Sequence, residues 1–180
     1  MKHHTINLIV GFFFLIAFSV GPFSSSAEAL EIRQLTSPKG IKLWFVKDTN
    51  LPIIQMRFLW RGGAANFDPG LIRFLSTMLD EGAGDLDATT FQTRKEDYGI
   101  KLSFSAEKDS FSGSLSTLSK HKDEAFSLLA LAVNKPRFAD TPLERMRQAL
   151  MAGHRRSASD SGTIASETWW QNTLAGHAYR

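Results

Sequence analysis

The chain has 180 residues, 43% of them hydrophobic and 22% charged, with a formal net charge of +3; this is ordinary globular composition and excludes intrinsic disorder. A weakly basic balance, without a clustered basic face carrying aromatic stacking residues, does not describe a nucleic-acid binder. Cysteine is absent, which excludes disulfides and cysteine-ligated zinc and leaves stability to the core.

Lys2, His3 and His4 precede an apolar run from Leu8 to Val20, broken only by Gly11 and Ser19 and ended by Gly21-Pro22. Crossing a bilayer takes about 20 apolar residues, so the run is too short, and Ala27-Glu28-Ala29 supplies the small-x-small pattern of a signal-peptidase site. Residues 1–29 are therefore expected to be a secretory leader cleaved after Ala29. The mature protein would be periplasmic or secreted, with no membrane span of its own. Retention as an N-terminal anchor, favoured by Phe12, Phe13 and Phe14, is the alternative. Losing Lys2 and Glu28 leaves 20 basic and 17 acidic residues, a net charge still of +3.

Glu31 to Leu35 and Ile41 to Val46 flank Ser37-Pro38-Lys39-Gly40, a turn sequence, and predict a hairpin. After Leu51-Pro52, Ile53 to Trp60 is apolar except for Gln55 and Arg57, as in a buried central strand, and Gly62-Gly63 ends it. Leu71, Phe74, Leu75, Met78 and Leu79 have the spacing of one helix face, closed by Gly82 and Gly84. A second helix begins at the N-cap Asp87 and runs to about Tyr98, where Gly99 stops it. Alternation in Ile100–Ser105 and Phe111–Leu115 predicts two strands paired antiparallel across Glu107-Lys108-Asp109. Lys120–Val133 is an amphipathic helix broken at Lys135-Pro136; Pro142 opens another through about Ser157; a last spans roughly Ile164–Leu174. The order predicts an α+β fold, a mostly antiparallel sheet covered by helices, in one domain over residues 30–180.

The segment Gly70-Leu71-Ile72-Arg73-Phe74-Leu75-Ser76-Thr77-Met78-Leu79 resembles the zinc helix of the insulinase and pitrilysin family of metallopeptidases, which includes the mitochondrial processing peptidases. That family's frame is Gly-Leu-x-His-x-x-Glu-His-Met-Leu, followed shortly by a Gly. The resemblance runs from Leu30 to about Tyr179. It takes in Leu51-Pro52-Ile53-Ile54 through Gly62-Gly63, Glu81-Gly82-Ala83-Gly84 with Asp87-Ala88-Thr89, and Tyr98-Gly99-Ile100. Asn134-Lys135-Pro136-Arg137-Phe138, Leu143-Glu144-Arg145-x-Arg147 and His177-Ala178-Tyr179 follow in the family's order. The chain ends before that family's first domain would be complete, so a fragment of a longer protein is expected.

Inverted zinc peptidases need two His one helical turn apart, aimed at one metal, with a Glu between them as base. In the frame that the resemblance supplies, Arg73 stands for the first His, Ser76 for the Glu and Thr77 for the second His. The family's third ligand, a Glu about 76 residues past the second His, falls at Gly153, and a further Glu two turns earlier falls at Met146. A guanidinium is permanently cationic and has no lone pair for zinc, and a hydroxyl cannot activate water as a carboxylate does. The resemblance thus implies a non-catalytic homologue with no metal and no cofactor of its own. It would pair with a related zinc peptidase subunit carrying an intact H-x-x-E-H, and the zinc would sit in that partner. Arg73, Ser76 and Thr77 are the candidates for contact with the peptide substrate.

The simpler reading makes Arg73, Ser76, Thr77 and Asp80 a solvated helix face, with Arg73 near Asp80. A stand-alone peptide-binding or chaperone-like protein, and a peptidase with a relocated zinc site, are the other functional readings. For the last, His121, His154 and His177 are the histidines beyond the leader, and their spacings match no local ligand motif. Arg145, Arg147, His154, Arg155 and Arg156 form the most basic stretch, read as a solvated helix face ahead of an acidic-ligand site. Trp169-Trp170 read as core or domain-interface residues.

Overall fold

The computed structural model describes residues 31–177 and residue 179; the expected leader lies outside the described residues. The chain divides into two compact units, Met1–Asn50 and Leu51–Arg180. The described part of the first is the expected hairpin: β1 (Ile32–Thr36) pairs antiparallel with β2 (Lys42–Val46), Ile32 opposite Val46 and Thr36 opposite Lys42. Its turn is closed by Gly40 N–H donating to Ser37 O at 2.9 Å and by Ile41 N–H donating to Ser37 Oγ at 3.0 Å. Gly40 sits at φ 83°, the left-handed backbone that glycine tolerates.

The second unit contains β3 (Ile53–Arg61), α1 (Pro69–Met78), α2 (Ala88–Asp97), β4 (Lys101–Ala106), β5 (Ser110–Leu118), a 3-10 turn (Ser119–His121), α3 (Lys122–Asn134), α4 (Asp140–Ser157) and α5 (Ser161–Thr173). Every strand pairing is antiparallel and the sheet order is β3-β5-β4. The fold is α+β, in the predicted order. β5, not β3, is the central strand. The apolar run of β3 is that of an edge strand whose alternate residues turn inward: Ile54, Met56 and Phe58 are half-buried, while Ile53, Arg57 and Leu59 are exposed.

The core forms where one face of this sheet meets α2 and α3: Ile100, Leu102 and Leu115 from the strands, Phe91 from α2, and Ala125, Leu128 and Ala132 from α3, with Ala83 from the turn after α1. Phe91, Ala125, Leu128 and Ala132 are fully buried. The period-2 pattern of β4 and β5 and the 3.6-residue period of α3 turn these residues to the same side.

Three helices begin earlier than their sequence signals indicate, two of them because an aspartate cap sets the boundary. Asp68 accepts from Leu71 N–H at 2.7 Å, and Pro69 takes the first position of α1, whose N–H has no intrahelical partner. Asp160 does the same for α5 by accepting from Thr163 N–H at 2.7 Å, so that helix starts at Ser161 and not near Ile164. α4 starts at Asp140, which makes Pro142 its third residue; the carbonyl four residues back belongs to Phe138, outside the helix, so the ring meets no helical turn. The Asp87 cap of α2 is as expected, accepting from Thr90 N–H at 2.7 Å.

Candidate functional site

α1 packs against β4 on one side and α4 on another. Met78 and Leu79 are 1% and 8% exposed, so the C-terminal end of the helix is the part anchored in the protein, whereas Leu71 at its start is 66% exposed. Two ion pairs hold the turn that follows. Lys95 of α2 donates to Asp80 Oδ2 at 2.7 Å and to Leu102 O at 3.2 Å, and Arg145 of α4 pairs with the buried Glu81. Gln92 adds a bond to Asp80 O at 2.9 Å.

The partner of Asp80 is thus Lys95 and not Arg73. Fifteen residues separate the pair in sequence, across a turn and a second helix start, and no local spacing signals it. The Glu81–Arg145 pair lay equally out of sequence reach.

On the helix itself, Arg73 is exposed and has no acidic partner within 4.0 Å among the described residues. Ser76 is 7% exposed and its hydroxyl donates to Arg73 O at 2.7 Å. Thr77 is half-buried and its hydroxyl donates to Phe74 O at 2.8 Å. Both hydroxyls therefore bond back to their own helix, the usual outlet for Ser and Thr inside one. Arg73 alone of the three sends its side chain into solvent.

Met146 and Gly153 lie on α4, half-buried, on the stripe with Leu143 and Leu150. A Cβ added at Gly153 would meet only Arg156 Nη2, at 4.0 Å, so the missing carboxylate is not missing for want of room. A cation, two hydroxyls, a thioether and a glycine are not a zinc donor set: zinc takes thiolate, imidazole or carboxylate. Among the described residues no group of three or more His, Cys, Asp or Glu is placed to hold a metal. His121 stacks edge-on against Tyr98 at 5.2 Å between centroids, and His177 against Tyr179 at 5.0 Å.

The basic stretch of α4 is partly neutralised. Arg147 donates to both Glu144 oxygens at 2.8 Å and Gln148 adds a third bond, which together hold the Glu144 carboxyl down at about 2. Trp169 and Trp170 are 57% and 37% exposed, outside the core, and Lys108 Nζ lies 4.7 Å from the Trp170 ring centre.

No family model matches the chain. A Helicobacter pylori protein described as the non-peptidase homolog YmxG is 26% identical over 178 residues, covering 97% of this chain and 39% of its own length. The crystal structure of a peptidase M16 inactive domain from Pseudomonas fluorescens superposes with a TM-score of 0.77 at 27% identity, over 83% of this chain and 37% of that one. This chain thus resembles, in sequence and in fold, an inactive domain of the insulinase type. The structure of a protease from Helicobacter pylori, 17% identical, shares the fold alone, with a TM-score of 0.60 over 71% of this chain and 32% of its own. This chain spans less than two fifths of the length of the Helicobacter homolog and of the Pseudomonas structure.

Proposed function

We propose that this chain is the non-catalytic part of an exported insulinase-type peptidase assembly: it pairs with a zinc-bearing subunit, forms chamber wall, and contacts the peptide through the face of α1 where zinc would otherwise be held. The observation that carries this reading is a retained framework around a replaced site. The ion pairs at the turn after α1 set the half-buried Asp80 against Lys95 and the buried Glu81 against Arg145, an arrangement that holds the end of a helix presenting no metal ligand. Arg73 supplies the contact, because its guanidinium is free to bond backbone carbonyls or carboxylates of a peptide.

Co-purification tests the reading. Tagged chain expressed in its source cell is expected to bring down a related chain with an intact H-x-x-E-H, and Arg73→Ala in that complex to raise KM for peptide several-fold with kcat little changed. Recovery of the tagged chain alone, with peptide bound, would replace the subunit reading with that of a stand-alone peptide binder.

A further inference from the structure

The face of the sheet turned away from the core is rich in serine and carries cations at its flanks. The pairing register lays it out in transverse rows: Gln55, Ser116 and Lys101; Arg57, Ser114 and Ser103; Leu59, Ser112 and Ser105; then Arg61 and Ser110. Six serines thus fill the middle, with Arg57 and Arg61 on the β3 flank and Lys101 on the β4 flank. Arg57, Leu59, Arg61, Lys101 and Ser103 are exposed and the remaining serines half-exposed. Ser103 and Ser114 bond each other at 2.9 Å, and Ser105 donates to Glu107 at 2.8 Å.

A sheet face exposed to water is ordinarily a mixture of charges of both signs, placed opposite one another. Here the three cations have no acidic partner within 4.0 Å among the described residues. At the nearest turn, Glu107 accepts from Ser105 and Asp109 from the Tyr179 hydroxyl. Arg57 and Arg61 project from the same strand on the same side, four residues apart, or about 13 Å at the rise of a strand. Leu59, 67% exposed, lies midway between them.

The geometry points to a docking surface for an extended acidic peptide segment lying along β3, with two carboxylates four residues apart and an apolar residue between them. An extended chain repeats its same-side residues at the spacing of the strand below, so carboxylate, apolar and carboxylate side chains at i, i+2 and i+4 meet Arg57, Leu59 and Arg61 in turn. Each arginine can take a carboxylate through two parallel N–H donors, and the serine hydroxyls donate to or accept from the polar groups of the same segment. The residues that carry this proposal, Arg57, Leu59 and Arg61, lie on β3 and not on α1.

Fluorescence polarisation on the full chain tests it with a labelled ten-residue peptide carrying Glu at i and i+4 and Leu at i+2, in an otherwise Ser/Thr background. Expected are saturable binding that weakens at least tenfold from 50 to 300 mM salt, and a loss of about tenfold in affinity in the R57Q/R61Q double variant with an unchanged far-UV circular dichroism spectrum. Moving the second Glu to i+3, which turns it to the other side of an extended chain, should cost as much on the wild-type protein. Equal affinity for the i+3 and i+4 peptides, or unchanged binding by the double variant, would overturn the proposal; inorganic polyphosphate displacing the peptide while both peptides bind alike would assign the face to unspecific charge.

Discussion

A Cβ added at Gly63 would sit 2.1 Å from Glu107 O and 2.7 Å from Ser110 N, both backbone atoms that no side-chain rotation can remove. The close approach exists because Gly62, Ala64 and Ala65 donate their N–H groups to Asp109 O, Glu107 O and Lys108 O, each at 2.8 Å, tying the exit of β3 to the β4–β5 turn. Gly63→Ala is expected to cost about 3 kcal/mol, the upper end of overpacking effects, measured by urea unfolding. At the same scale, Asp87 has its carboxyl held below the ordinary range, first by the bond from Thr90 N–H and then by the Thr90 hydroxyl. A carboxyl depressed in the folded state adds stability above its unfolded pKa and loses it as pH falls through the folded one. The stability difference between wild type and Asp87→Ala is therefore expected to be constant above about pH 5 and to shrink below pH 4. A difference that grows on acidification would show that the carboxylate is not the capping group. Asp87 was legible as a cap from the sequence; Asp68 and Asp160 have the same chemistry and set the starts of their helices ahead of the first large apolar residues, Leu71 and Ile164.

At the scale of elements, α1 and α4 are the pair that a zinc peptidase would use, and here they are joined by Glu81 and Arg145 instead of by a metal. A variant carrying Arg73→His, Ser76→Glu, Thr77→His and Gly153→Glu is expected to bind one zinc per chain by elemental analysis after dialysis, since position 153 has space for a side chain. Failure of the folded variant to take up metal would mean that α1 and α4 have drifted out of the ligand geometry as well. The apolar stripe that announced α1 was right about its buried end, Met78 and Leu79, and wrong about its start, where Leu71 faces solvent. Periodicity marks which residues share a face but not how far along the helix the neighbouring surface extends.

Over the whole molecule, burial is uneven. The core joins α2, α3, β4 and β5, while all ten residues of β1 and β2 are exposed, and no residue of α5 is buried. Amide hydrogen exchange is expected to be slowest in β5 and α3 and fastest in β1, β2 and α5, because opening free energy follows buried apolar contact; protection in α5 equal to that in α3 would contradict this.

By itself the sequence determined that helix and strand alternate in this order, that β4 and β5 form a hairpin with one apolar face, and that no zinc ligand stands at positions 73, 76, 77 and 153. Those properties are local: they depend on side-chain chemistry and on periods of two and 3.6 residues. Only the tertiary structure decided that β5 is central and β3 an edge, that Asp80 belongs to Lys95 and Glu81 to Arg145, and that cations without an acidic partner among the described residues share one sheet face with serines. Each depends on strand order and on contacts between residues far apart in the chain, and a pattern read along the sequence carries neither.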